Sequence, residues 1–134
     1  MRRLVRVGIA AVVCVVAAGC SMNNRATAKD RWIYLPHGEA IVGTVTYVSG
    51  PFVHKQEGAP QLIWERPGQP DKVLAVAAAS SEVDYDACRT AQVHLSPDGN
   101  RAWLTKDGKV LASFDRQSGL AWYGERARPD WARP

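Results

Sequence analysis

The stretch that decides the fold is AQVHLSPDGNRAWLTKDGKVLASFDRQSGLAWY, residues 91–123. Three turn motifs divide it, namely Ser96-Pro97-Asp98-Gly99, Asp107-Gly108 and Ser118-Gly119. Proline presets φ in such turns, glycine accepts a positive φ, and Asp-Gly closes two-residue hairpins. The segments between the turns alternate apolar and polar residues, which is typical of half-buried strands. The sequence therefore predicts a four-strand antiparallel meander with strands at 91–95, 101–106, 110–115 and 120–123.

The Asp107-Gly108 turn also predicts a register. It places Trp103 opposite Ala112, with Val110 and Phe114 on the same face of the sheet. The segment LSPDGNRAWLTKDGKVLASFDRQSG resembles one blade-like repeat of the propeller proteins that carry SPDG turns, and it covers about a fifth of the chain. A propeller needs at least four blades of ~40 residues. The chain is too short to close one, so no propeller function is carried over.

Further β-rich segments precede the meander. β-branched residues dominate 41–48, while 52–54 and 61–65 predict shorter strands. Residues 73–79 are apolar on both faces, which fits a central strand or a short helix, and their valines and short length favour the strand. With 134 residues, 46% hydrophobic and 22% charged, the chain suits one folded domain. We expect a mostly β fold, a small antiparallel meander that is sandwich- or barrel-like.

The first twenty residues, MRRLVRVGIAAVVCVVAAGC, have the layout of an export signal. Three arginines among the first six residues make a positive start, and residues 7–18 are uncharged and apolar. That apolar stretch has the length of a secretory core and falls short of the ~20 residues of a spanning helix. Ala-Ala-Gly then directly precedes Cys20.

The segment from Ala17 to Cys20 resembles the lipobox of bacterial lipoprotein signal peptides, with alanine where that family prefers leucine. The resemblance implies cleavage between Gly19 and Cys20, diacylglyceryl transfer to the Cys20 thiol and, usually, acylation of the new amino terminus. Because Ser21 rather than aspartate follows, it implies the outer membrane, facing the periplasm, in a Gram-negative host. In a Gram-positive host the anchor would sit on the outer face of the cytoplasmic membrane. An ordinary signal peptide and an uncleaved anchor are the alternatives.

These features predict four segments: a signal peptide at 1–19, a lipid-anchored flexible tether at 20–30, a β domain at 31–125 and a proline-bounded tail at 126–134. We expect the tail to fray, with Trp131 docking on the domain or on a partner. Loss of the three signal-peptide arginines leaves basic and acidic residues nearly balanced. That balance argues against a nucleic-acid partner.

Cysteine usage predicts a single free thiol after processing. Cys14 leaves with the signal peptide and Cys20 becomes a thioether, so Cys88 has no partner for a disulfide within the mature chain. If residues 82–88 form a strand, Cys88 shares one face with acidic residues. Neighbouring carboxylates disfavour the thiolate, so we expect an unreactive thiol.

The candidate partner surface combines acidic and aromatic residues. The acidic row suits a Ca²⁺ ion, a cationic partner or simply a solvated strand face, and the solvated face is favoured. Tryptophans at the ends of the domain are expected to be exposed, where they are able to stack on a glycan, whereas Trp64, Trp103 and Trp122 are expected in the core. The predicted surface residues are Glu82, Asp84, Asp86, Trp32 and Trp131.

Motifs for common catalytic chemistry are missing from the sequence: it has no G-x-S-x-G elbow, H-E-x-x-H pair, P-loop or G-x-G-x-x-G. His37, His54 and His94 lack the spacing of zinc ligands, so we expect no metal and no cofactor. The leading hypothesis is a non-enzymatic envelope lipoprotein that binds the membrane through its lipid and an envelope protein or glycan through its domain. One alternative is an enzyme whose site assembles from His54, His94, Asp84 and Asp86. The other is a structural subunit of a larger envelope complex, which an exposed unpaired edge strand or an exposed apolar patch would indicate.

Overall fold

A computed structural model describes residues 24–80 and 83–134 of the chain. The predicted signal peptide, the predicted cleavage site between Gly19 and Cys20, the predicted lipidation of Cys20 and the acidic Glu82 lie outside the described residues. A single 3-10 turn at Pro36–Gly38 and one short α-helix accompany the strands in the described part. The elements are β1 (Asn24–Tyr34), β2 (Ala40–Ser49), β3 (His54–Glu65), β4 (Lys72–Val73), β5 (Ala75–Ala79), α1 (Tyr85–Arg89), β6 (Gln92–Leu95), β7 (Arg101–Lys106), β8 (Lys109–Asp115) and β9 (Leu120–Tyr123).

The strands form two sheets. The first has the order β1-β2-β3-β4 and is antiparallel throughout. The second has the order β5-β9-β8-β7-β6, in which β6 to β9 are the predicted antiparallel meander and β5 adds a parallel strand beside β9. The mostly β prediction and the four-strand meander are therefore confirmed.

One hydrophobic core joins the two sheets. The first sheet contributes fully buried residues such as Ile33 and Ile41, and the second contributes Leu104 and Phe114 to the same cluster. Burying a side chain of this size favours folding by roughly 1.5–3 kcal/mol, so this shared layer holds the two sheets together. The arrangement is the sandwich form of the predicted fold. No helix in the described part of the chain has the length and apolar character needed to cross a membrane.

The β7–β8 hairpin has the predicted turn but not the full predicted register. Asp107 and Gly108 both adopt positive φ, 53° and 75°, as a tight hairpin turn of this class requires. Beyond the turn the register shifts at Leu111, so Trp103 pairs with Ser113 and the predicted pairing with Ala112 is wrong. A β-bulge inserts one residue into one strand, and turn chemistry alone does not reveal it.

Two upstream strand predictions also need correction. Of the strand predicted at 52–54, only His54 lies in a strand, because residues 52 and 53 belong to the turn between β2 and β3. His54 and the strand predicted at 61–65 are part of one strand, β3, whose pairing with β2 is interrupted around Gly58-Ala59-Pro60. Glycine accommodates a bulge there through its positive φ of 75°. The strand predicted at 73–79 is split at Leu74, a buried residue between β4 of the first sheet and β5 of the second. Its N–H donates to Leu62 O of β3 at 2.8 Å. The second part of the predicted strand, β5, lies at a sheet edge instead of the centre.

The conditional strand at 82–88 is wrong where it is described. Asp84 begins α1 because its carboxylate accepts a hydrogen bond from the Asp86 N–H, and an N-cap of this kind satisfies a free donor at a helix start. The tether prediction extended to Asp30, but β1 already begins at Asn24. The frayed-tail prediction is wrong as well, because Ala132 is completely buried against the domain.

Candidate functional site

The structure does not bring the predicted partner residues together. Trp32 lies in the core beside α1, and Trp131 lies on the outer face of the second sheet. Asp84 and Asp86 are exposed on α1, where Asp86 Oδ1 is 3.5 Å from Arg89 Nε. Among the described residues, no group of three acidic, histidine or cysteine side chains is placed to hold a metal ion.

Trp32 is buried rather than exposed, with 6% of its surface accessible. It occupies a register shift between β1 and β2, which turns its indole inward against the Tyr85 ring at a centroid distance of 5.2 Å. The Tyr85 hydroxyl donates to Asp30 Oδ2 at 2.5 Å, and burial together with this carboxylate raises the pKa of Tyr85. Trp32 is therefore a core residue that seats α1 on the first sheet.

Gln56 on β3 holds the segment that leads into α1. Its amide nitrogen donates to Val83 O at 2.6 Å and its amide oxygen accepts the Tyr85 N–H at 2.7 Å. Cys88 is buried on the inner side of this helix, and burial, followed by the nearby Asp84 charge, raises the pKa of its thiol to about 12. The direction agrees with the predicted unreactive thiol, but burial is the larger cause.

A cluster that we call the tryptophan face covers the outer side of the second sheet; it comprises Trp103, Trp122, Trp131 and His94. Trp131 packs edge-on against Trp122 at 5.8 Å and is tilted against Trp103 at 5.9 Å between ring centroids. The His94 ring stacks on Trp103 at a centroid distance of 5.3 Å. Trp103 Nε1 donates to Arg133 O at 2.7 Å, which fastens the tail to the sheet.

The tryptophan face corrects one prediction and confirms another. Trp103 and Trp122 are half-buried on the outer face, so they do not fill the core as predicted. Trp64 is also half-buried, between the guanidinium groups of Arg66 and Arg116 at 4.3 and 5.0 Å. Trp131 docks on its own domain, which confirms one of the two predicted roles, but its ring is half-buried and not exposed as predicted.

The two histidines of the enzyme alternative lie on different sheets, whereas its two carboxylates, Asp84 and Asp86, lie together at the start of α1. His54 Nδ1 is 2.7 Å from Ser49 Oγ, and its ring stacks on Tyr47 of the first sheet. His94 Nε2 is 2.7 Å from Thr105 Oγ1 of the second sheet. Each histidine is thus engaged with partners on its own sheet.

The edge strand β5 was not predicted as a site from the sequence. All five residues of Ala75–Ala79 are exposed, including Val76 at 51%. On one side β5 pairs with β9, while no described strand pairs with its other side. We call this surface the β5 edge. Its sequence signal was the charge-free run at 73–79, which a buried central strand would also show.

No protein-family model, curated protein or solved structure matches this chain.

Proposed function

We propose that the chain is a bacterial envelope lipoprotein, anchored through acylated Cys20, whose β domain is a non-enzymatic binding module. Its partner in this proposal is an envelope protein that adds an extended segment to the β5 edge. The proposal places the mature protein in the cell envelope, at the outer membrane and facing the periplasm if the host is Gram-negative.

The anchor part of the proposal is supported by the sequence from Ala17 to Cys20 after an apolar, positively headed segment. One acyl chain holds a protein only marginally at a bilayer, whereas two or more give stable anchorage. The modification that the lipobox resemblance implies supplies at least two chains on Cys20, which is enough to hold a domain of this size.

The binding part is carried by the β5 edge, an exposed unpaired strand edge that agrees equally with the structural-subunit alternative, since both roles need a partner segment at this edge. Exposed strand edges present unpaired N–H and C=O groups, and proteins commonly protect them with charged side chains. The opposite sheet carries such protection on its edge strand β1, which includes Arg25, Lys29 and Arg31. The β5 edge has no charge along Ala75–Ala79 and both its faces are open. These are the properties of a strand that accepts an added strand, where main-chain bonds provide the affinity.

The test compares two lysine substitutions on the two edges of the same sheet. Val76→Lys puts a charge on the β5 edge, and Val93→Lys puts one on β6, where Val93 is 39% exposed. The amount of protein that co-purifies with the chain from crosslinked membranes should fall about tenfold with Val76→Lys, because lysine on an edge strand opposes the addition of another strand. A tenfold loss corresponds to about 1.4 kcal/mol. Val93→Lys should retain the co-purifying protein.

Retention of the same partners by Val76→Lys, or their loss with Val93→Lys alone, contradicts docking at the β5 edge. A glycan is the second candidate partner, and the half-buried rings of the tryptophan face favour it. Co-sedimentation of the domain with purified peptidoglycan, abolished by Trp103→Ala and unaffected by Val76→Lys, would assign the binding to that face.

A further inference from the structure

We infer that the turn between β2 and β3 lies against the phospholipid surface and inserts Phe52 among the headgroups. The inference rests on the proposed acylation of Cys20 and goes beyond it, because acylation alone says nothing of which end of the domain faces the bilayer. It follows from three features: the short chain between Cys20 and β1, the register of β1 with β2, and the exposed side chain of Phe52.

The chain between the anchor and the fold is short. Only Ser21, Met22 and Asn23 separate Cys20 from Asn24, the first residue of β1. Four residue steps span at most about 14 Å even when fully extended. If Cys20 carries the acyl chains, Asn24 is confined to a thin layer next to the headgroups.

The register of the first sheet places the β2–β3 turn beside Asn24. Asn24 pairs with Ser49, the last residue of β2, and the chain turns directly afterwards, closed by the Gly50 N–H bond to Val53 O at 2.7 Å. The far end of β1, at Tyr34, is ten residue steps away, or roughly 33 Å along a strand. The short connection therefore favours an orientation in which the turn, and not the Tyr34 end, meets the membrane.

The turn carries an apolar side chain that contacts nothing in the domain. Phe52 is 99% exposed, the largest exposed fraction among the large hydrophobic residues described. Exposure of a whole phenyl ring to water is unfavourable by the same roughly 1.5–3 kcal/mol that its burial would recover. Aromatic rings on membrane-surface segments bury themselves at the boundary of headgroups and acyl chains. A bilayer surface held within reach by the anchor offers that burial.

The charges around the turn are nearly balanced. Lys55 lies near the start of β3, and Arg25 lies near the start of β1. Arg25 donates to the two carboxylate oxygens of Glu57 at 3.2 and 2.9 Å. Lys55 lines the same surface pocket as Glu57 and Asp84, so acidic side chains lie beside it. The membrane contact is therefore carried by the apolar ring of Phe52 and not by charge.

The test labels two positions at opposite ends of the same sheet. Phe52 and Tyr34 are both well exposed, at 99% and 74%, so the cysteine of Phe52→Cys or Tyr34→Cys is accessible to the label, and buried Cys88 does not compete for it. The acylated mature protein is reconstituted into vesicles of phosphatidylethanolamine and phosphatidylglycerol that contain a nitroxide-bearing lipid. We expect a fluorophore at position 52 to be quenched severalfold more strongly than one at position 34. Both variants should unfold at the wild-type temperature.

Mass analysis of the same samples distinguishes failure of the proposed lipid anchor from failure of the proposed membrane contact. Equal quenching at the two positions in an acylated protein overturns the membrane contact of the turn and leaves the lipid anchor intact. Stronger quenching at position 34 overturns it likewise. A mature protein without acyl chains overturns the proposed anchor and the contact together.

Discussion

Gly43→Ala is expected to destabilise the domain by about 3 kcal/mol, at the upper end of the usual cost of overpacking a core. A Cβ atom at Gly43 would lie 2.6 Å from Trp32 Cδ2 and closer still to Cε2 and Cζ2. The indole has no room to retreat, because Trp32 is buried and packs against Tyr85. Urea denaturation of the mature Cys20→Ala chain, followed by circular dichroism, measures the change in the free energy of unfolding.

The matched control is the double variant Gly43→Ala with Trp32→Leu. A leucine removes the ring atoms that the new methyl group would overlap, so the double variant should lose much less than the sum of the two single losses. If the double variant loses as much free energy of unfolding as the two single variants together, Gly43 and Trp32 do not constrain each other. That result would contradict the close approach between β1 and β2.

Glu39→Ala is expected to lower the free energy of unfolding by about 2 kcal/mol at neutral pH. Glu39 Oε1 accepts a hydrogen bond from Arg116 Nε at 2.8 Å and from Trp64 Nε1 at 3.0 Å, and so connects the first sheet to the chain that follows β8. The Glu39 and Arg116 side chains are only 15% and 24% exposed. Removal of a partly buried acceptor leaves two donors without a partner, which costs more than the net value of the bonds.

The pH dependence of this contribution has a definite sign. Burial opposes the charge of Glu39, but the hydrogen bonds from Arg116 and Trp64 outweigh it and hold the pKa of that carboxyl below its ordinary value. A carboxyl with a lowered folded-state pKa stabilises the fold above its unfolded-state pKa, and the stabilisation is lost as pH falls through the folded-state value. The stability difference between wild type and Glu39→Gln should therefore be largest near neutral pH and shrink in acid. If the stability difference between wild type and Glu39→Gln stays constant until the protein unfolds in acid, the pKa of Glu39 is not lowered by the fold, which would contradict this prediction.

Local turn chemistry explains which parts of the fold were predictable from the sequence. The meander was predicted because Pro97-Asp98-Gly99 and Asp107-Gly108 act over a few residues, and the positive φ of Gly99 and Gly108 is observed. The bulge at Leu111 was not predictable, because the packing of whole strands determines it and no turn residue marks it. The pairing of Trp103 was displaced by one residue for that reason.

The candidate site was predictable in part. Trp131 was singled out, but the alternation that suggested a strand at 82–88 is also compatible with a helix of one turn, which Asp84 caps. The burial of Trp32 depends on a register shift that its position near the start of the domain did not reveal. An apolar run such as Ala75–Ala79 has the same pattern whether it is buried on both faces or open on both, so the β5 edge required the structure.

Intact-mass analysis of the protein extracted from membranes tests the central claim, that a lipid on Cys20 holds this β domain at a bilayer. The account predicts a mature chain whose first residue is Cys20 and which carries fatty acyl groups, while Cys20→Ala yields a chain without them that leaves the membrane fraction. A wild-type mature chain that begins at any other residue, or that begins at Cys20 with no acyl mass, would contradict the account.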